Sequence, residues 1–409
     1  MRYHFEKIIG LDERGVALPL ALFGLVAISL LVTSALVTSS TELALSSAHQ
    51  DGTRGLYAAD AALEGFVAQR AAMATDLDQR FVTGDYAIQV GVQGYQVRVA
   101  ELFRSVPEQM ADDSFERREI YSVVTQPENG RGRSVGAMME VTRVANSISL
   151  SVDSGLTLGT DATITGNATV SDGSDSAICT NEDPGAAIRY SSDSEVSIGG
   201  SSNIVGDTIQ DTRGREELMN YVLNGHTIDE LADYAQIRFG PTYEGPDYPN
   251  GAGPIHTSSD FNLRWGCPAH LVGTCSAEQA TYFPTVVIDA NGTDVSISNW
   301  HGQGVLLVRN GGLDISGSFQ YAGIILVEGT LQIRGGGGAN RPNIEGAVIA
   351  MGDEVVIDPG DESEATGSSV VRFNQCEIAN AQRGLTIQSL DTQPQIMDTP
   401  TFAWFEVVR

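Results

Sequence analysis

Lysine occurs once in the 409 residues, at Lys7. Chemistry that depends on a lysine amine, such as a P-loop, a Schiff base or an isopeptide cross-link, has only that residue to use. Basic residues of any kind are scarce: Lys and Arg total 24 against 52 Asp and Glu, a formal net charge of −28. A phosphate backbone is bound by neutralising it with Lys and Arg, so this balance argues against nucleic acid as a partner. Charge is low overall, at 19% of residues, where soluble domains carry about 25%. The four cysteines contain no CxxC step, and the nearest imidazoles, His256 and His270, complete no zinc-ligand spacing with them. Neither a metal nor a cofactor is expected.

Glycine is plentiful, at 45 residues, above the ordinary share of about 7%. Together with Ser and Thr it points to short strands and tight turns rather than to a helical bundle. Hydrophobic residues make up 42% of the chain, enough to bury a core, which sets disorder aside.

One long apolar run is present. From Val16 to Val37 the chain reads VALPLALFGLVAISLLVTSALV without a charge. At 1.5 Å per residue it spans about 33 Å, enough for a hydrocarbon core of about 30 Å. Arg2, Lys7 and Arg14 precede it, and the next basic residue is Arg54. The positive-inside rule puts the N-terminus in the cytoplasm and everything past Val37 outside. A cleaved secretory signal is the simpler alternative, but its apolar region is shorter, about 7–15 residues.

The entry to this run is Glu13-Arg14-Gly15-Val16-Ala17-Leu18. A polar leader ending in Gly, followed at once by an unbroken apolar helix, resembles the type III signal of type IV pilins and pseudopilins. That resemblance implies cutting by a prepilin peptidase between Gly15 and Val16, with the helix held in the inner membrane until it enters a filament core. Pro19 fits, since proline is tolerated in a first helical turn. Farther on, Leu56, Ala59, Leu63 and Phe66 are spaced for a helix face, within Gly55-Leu-Tyr-Ala-Ala-Asp-Ala-Ala-Leu-Glu64. Leader, apolar helix and Ala-rich block together resemble the N-terminal domain of PilX-like minor pilins over residues 8–75. Many pilins carry Glu at the fifth mature position. Here that position is Leu20, which implies a low-copy minor subunit rather than a polymerising one.

Residues 85–144 read as a small antiparallel sheet, with Tyr86, Ile88, Val90 and Val92 alternating, then Tyr95, Val97 and Val99. Past Asn146 short β-branched runs recur. Val286-Val-Ile, Gly304-Val-Leu-Leu-Val, Gly323-Ile-Ile-Leu-Val, Gly346-Ala-Val-Ile and Ser369-Val-Val-Arg-Phe follow one another at offsets of 18, 19, 23 and 23. Such periods, with two short strands per repeat and Gly at the corners, predict a right-handed parallel β-helix-like solenoid. Segments 148–158, 162–170 and 194–205 read as earlier coils of it. Arg213–Phe239 predicts two short helices, and 240–285 a Pro- and Gly-rich loop.

Once the apolar segment carries the cysteines outside the cytoplasm, disulfides become permissible. Cys267 and Cys275 bracket a short step that suits a local staple, leaving Cys179 with Cys376. Four cysteines allow three connectivities, and all three stay open here. Clustered acids (Asp289, Asp294, Asp314, Asp353, Glu354, Asp358, Asp361, Glu362, Glu364) raise the question of glycosidic or lyase chemistry. Most stand beside Gly, Pro or Ser, where turn chemistry explains them. Asp358–Glu364 and Ser171–Ser176 do not fit a spaced calcium loop. Trp300-His301 is the one aromatic and imidazole pair at a predicted corner. Phe402-Ala-Trp-Phe405 reads as a final strand or cap.

The expected organisation is α+β and then all-β: 1–15 leader, 16–37 transmembrane helix, 38–75 its extension, 85–144 antiparallel headpiece, 146–210 first coils, 211–285 insertion, 286–409 solenoid with cap. Val16–Ala74 would make a helix of about 88 Å. With the resemblance, this implies a non-enzymatic minor pilin or pseudopilin of a Gram-negative bacterium, single-pass in the inner membrane, its C-terminal part periplasmic or at the surface or pilus tip. Its partners would be other pilins, the assembly machinery and the prepilin peptidase. The alternative is a surface adhesin or glycan-binding protein, with a surface polysaccharide as partner, and beyond that a polysaccharide-degrading enzyme.

Overall fold

The computed structural model describes residues 13–72, 84–87, 95–127, 134–174, 185–240, 265–337, 341–352, 354–357, 367–392, 395–398 and 401–407. Calls that fall elsewhere, including most of the leader, Cys179, and the acids Asp353, Asp358, Asp361, Glu362 and Glu364, lie outside the described residues.

A single helix runs Glu13–Ala72. Leu, Ala, Val and Ser fill it, and between Arg14 and Glu42 no charge interrupts it. The sequence places Pro19 in a first turn, but the helix begins earlier, so Pro19 lies inside it. From Leu18 to residue 50 the helix touches almost nothing: Leu18 is 77% and Phe23 78% exposed. Its last part is different. Ala59, Ala62, Leu63 and Phe66 are buried against Val97, Val99, Tyr121, Val123, Met139 and Val141.

Those partners belong to an antiparallel sheet. Gly84–Ala87, Tyr95–Arg104, Phe115–Pro127 and Ser134–Ala145 are successive neighbours in it. Phe115–Pro127 alternates buried and half-exposed residues, the period-2 pattern of a sheet with one covered face. The far neighbours of Ser134–Ala145 are the C-terminal strands Gln395–Asp398 and Thr401–Val407. The tail is therefore not a cap on the repeats but the closing edge of this sheet. Phe405 is the register partner of Gly136, and its ring fills the space over that glycine.

The rest is mostly β, in parallel sheets. In the twelve-stranded sheet Thr285–Asp289, His301–Arg309, Gln320–Val327 and Asn343–Ala350 stack in order. In the six-stranded sheet Val295–Ser298, Leu313–Ser316, Leu331–Ile333 and Val355–Ile357 do the same. Between the sheets lies an aliphatic core with Leu306, Val308, Ile315, Ile325, Val327 and Ile333. On the outer side of the larger sheet, Val287, Leu307, Leu326 and Ile349 meet Leu218, Leu231, Ile378 and Leu385. Covered on both faces, these strands read as continuous aliphatic runs instead of alternating ones.

The stacking order departs from chain order. The early strands Ala162–Ile164 and Asn167–Ser171 do not lead into Thr285–Asp289. They pair with the last repeat, Val355–Ile357 and Gly367–Phe373, while Val196–Ile198 and Asn203–Val205 lie beyond them. The segment between, with helices Arg215–Val222 and Ile228–Asp233, carries the chain to the other end of the stack, from which it winds back.

A helix at Gln375–Thr392 interrupts what the sequence reads as pure strand. Its Ile378, Ala381 and Leu385 lie on the larger sheet. Gln388 joins it to the first repeat: its Nε2 donates to the Phe283 carbonyl at 2.8 Å and its Oε1 accepts from the Thr285 amide at 2.9 Å. Leu390 then packs with Phe115 and Ala145, so this helix couples the stack to the antiparallel sheet. Its polar sequence hides it, with only Ile378, Ala381 and Leu385 at helical spacing.

Candidate functional site

The most conspicuous surface is the free half of the long helix. It is the one described helix long and apolar enough to cross a membrane by length and composition, and none of that window is buried. Ser29, Ser34 and Val37 carbonyls accept from Thr33, Thr38 and Thr41 hydroxyls at 2.7–2.9 Å. These hydroxyls are satisfied within the helix, so the surface they offer is apolar in effect. Gly15 and Val16 both lie in this helix. Leu20 is 68% exposed.

What holds the packed half is a sheet with charges inside it. On the covered face, between the long helix and Leu390, Glu119 is fully buried. Its carboxylate accepts from Arg143 Nε at 2.8 Å, Arg117 Nε at 2.9 Å and the Tyr121 hydroxyl at 2.6 Å. Burial pushes the Glu119 carboxyl up, but Tyr121, Arg143 and Arg117 outweigh it and leave it below its ordinary value. Burial and the same contact push Tyr121 up to about 12. Arg117, Glu119 and Tyr121 at alternate positions of one strand were the available signal; the sequence reading passed over them.

A second charged cluster forms where distant segments meet. Cys267 and Cys275 form a disulfide with Cα atoms 5.9 Å apart, and Cys376 is disulfide-bonded as well. The clipped loop carries His270, whose Nε2 lies 3.3 Å from Glu345 and whose Nδ1 lies 3.9 Å from Glu377. Glu345 also accepts from Arg372 Nη1 at 2.8 Å. The Glu345 contact, opposed by burial, raises His270 above its ordinary value. Burial likewise raises Glu377. Nothing in the sequence signals this cluster, because His270 lies more than seventy positions from the acids it meets.

Of the acids weighed for catalysis, Asp289 accepts from the Asn291 amide and from Asn310 Nδ2, both at 3.2 Å. Asp314 faces Arg334 at 3.4 Å. Asp289 serves a turn and Asp314 a strand surface. Asp172 accepts from the Ser174 amide at 2.9 Å, a local turn contact. Among the described residues no group of three or more His, Cys, Asp or Glu is arranged to hold a metal. Trp300 is buried, edge-on to Trp265, whereas His301 is half-buried beside a cavity. That cavity, of about 340 Å³, is bounded by Leu271, Val272, Asn299, Trp300, His301, Ser318 and Gln320.

Residues 14–64 match the family model described as PilX N-terminal. The match takes in the exposed apolar stretch and the start of the packed one, so this part of the chain is PilX-like. No curated protein matches the chain. Among solved structures, the competence-associated pilin ComZ from Thermus thermophilus is similar at 11% identity, over 87% of this chain and 98% of that one, with a TM-score of 0.22. Likeness at that level bears no weight on the fold.

Proposed function

We propose that the chain is a low-copy, pilin-like structural subunit of a type IV pilus or a related secretion pseudopilus. The observation that carries this is the division of one helix into two halves. Its first half is apolar and uncovered, while its second is sealed under an antiparallel sheet, and the PilX N-terminal match spans the junction. An uncovered apolar helix costs about 25 cal/mol per Å² left in water, so it needs a bilayer or other helices around it.

In this reading the segment from Val16 lies in the inner membrane with the N-terminus cytoplasmic, the peptidase cuts between Gly15 and Val16, and other pilins take the helix into a filament. From Val16 to Ala72 the helix measures about 85 Å. Leu20 in place of an acid suits a subunit that meets few partners, at a tip or in a priming complex. The parallel sheets are read as a β-helix, displayed beyond the headpiece in the periplasm or at the surface. No catalytic role belongs to this reading.

The test is the N-terminal sequence and intact mass of the protein from cells with an active prepilin peptidase. A chain beginning at Val16 is expected. An uncut chain, or one cut after Ser34 or later, would sink the pilin pathway and leave an ordinary anchor or export signal.

A further inference from the structure

The cavity beside His301 is built by three stretches of the chain. Asn299 and His301 stand at one corner of the stack, and Ser318 and Gln320 at the same corner one repeat later. Leu271 and Val272 form the facing wall. That wall is fixed at both ends, by the Cys267–Cys275 disulfide and by the contact of His270 with Glu345.

The polar groups around it are incompletely used. Asn299 Oδ1 accepts from both the amide and the hydroxyl of Ser318 at 3.1 Å, which leaves its NH₂ for a ligand. Gln320 Nε2 donates to the Arg341 carbonyl at 3.0 Å, which leaves its carbonyl oxygen. His301 meets Trp300 ring to ring, and burial alone acts on it, keeping the imidazole in the neutral form. A neutral imidazole offers one donor and one acceptor.

Among the described residues no carboxylate, guanidinium or amine lines the cavity. An ionic ligand would find no counter-charge among them, and the net charge of −28 repels polyanions before they arrive. What remains is a small, uncharged molecule whose groups both donate and accept and whose body is partly apolar. Hydroxyls do both, and a sugar ring adds C–H faces suited to Leu271 and Val272. The volume lies at the low end for small-molecule sites, about 300–1,000 Å³, which suits one ring rather than a chain.

We propose that this cavity binds a single neutral pyranose residue, held by Asn299, His301 and Gln320 against the disulfide-clipped wall. The site does not depend on the pilin reading: the chain can go uncut at Gly15 and still bind sugar.

The full chain, in a detergent without a sugar headgroup, is titrated calorimetrically with methyl glucoside, methyl galactoside, methyl mannoside and N-acetylglucosamine. At least one should bind saturably with Kd near 1 mM, a free energy of about −4 kcal/mol. His301→Ala and Gln320→Ala should each weaken that binding about tenfold, while melting temperatures stay near the parent's. Asn299→Asp, which puts a charge in the cavity and keeps the side chain's shape, guards against a variant that misfolds; it should also lose binding. Absence of binding by all four sugars overturns the proposal, as does equal binding by correctly folded variants. Tighter binding of glucuronate than of any neutral sugar overturns it too. Competition by dextran against competition by a high-mannose glycopeptide then separates a polysaccharide source from a glycoprotein one, and competition by neither leaves a free sugar.

Discussion

Gly323 lies directly on Gly304 in register, and Gly346 lies on Gly323. All three have positive φ, +99°, +129° and +139° in that order, and a Cβ on Gly323 would strike the Gly304 carbonyl. The column runs through the middle of continuous strands of the larger sheet, and only a residue without a side chain lets successive backbones approach so closely.

Gly323→Ala therefore combines backbone strain with overlap in a stack that cannot give way, at a cost of about 3 kcal/mol. Thermal unfolding of the full chain in detergent should show a clear fall in melting temperature. Gly273→Ala supplies the comparison, a left-handed glycine with open space around it. A loss from Gly323→Ala no larger than that from Gly273→Ala would refute the account.

The buried pair of Glu119 and Arg143 predicts an asymmetry. Arg143→Met leaves the fully buried Glu119 carboxylate on Arg117 and Tyr121. Glu119→Gln takes from two buried guanidiniums, Arg117 and Arg143, the carboxylate they share, and breaking a buried pair costs about 3–5 kcal/mol. Chemical denaturation should find Glu119→Gln less stable than Arg143→Met. The reverse order would mean that neither guanidinium depends on the Glu119 charge.

His270 predicts a pH response of the clipped loop. Its pKa in the folded protein is raised by Glu345, so its contribution is fully present below the unfolded value of about 6.5 and is lost as pH rises through the folded value. Arg372, Glu345 and Glu377 face it; the raised Glu377 favours the same acidic side, while Glu345, held below its ordinary value, resists protonation. Protection factors of the amides in residues 267–275, from which the intrinsic base-catalysed rise is divided out, should fall from about pH 6.5 upward in the parent and be flat in His270→Gln. A parent loop that loosens toward acid would show the sign to be wrong.

Pro19 has no N–H, so the Gly15 carbonyl, four residues behind it in the helix, lacks its helical partner. That carbonyl belongs to the bond expected to be cut. Pro19→Ala restores the hydrogen bond and should slow maturation at Gly15–Val16, read as the ratio of uncut to cut chain on a gel. Unchanged processing would show that the peptidase does not use this freed carbonyl.

Much of this molecule is written in local pattern. The apolar helix, the alternating strands at Val97–Val99 and Tyr121–Val123, and the recurring aliphatic runs near 286, 304, 323 and 346 are all legible one segment at a time. Burial by a helix face or a sheet face leaves a periodic mark in the residues that make it. The amphipathic helices around 216 and 228 are legible for the same reason.

The sequence by itself thus determined an uncovered apolar helix, a small antiparallel sheet and strands that repeat at a period near twenty. Only the tertiary structure decided that the early strands seat on the last repeat instead of the first, and that Phe405 returns to Gly136 to close the sheet. It also brought His270 to Glu345 and Glu377. Those outcomes depend on which edge is free when the chain comes back to it, a property of the assembled surface. No window of neighbouring residues contains it.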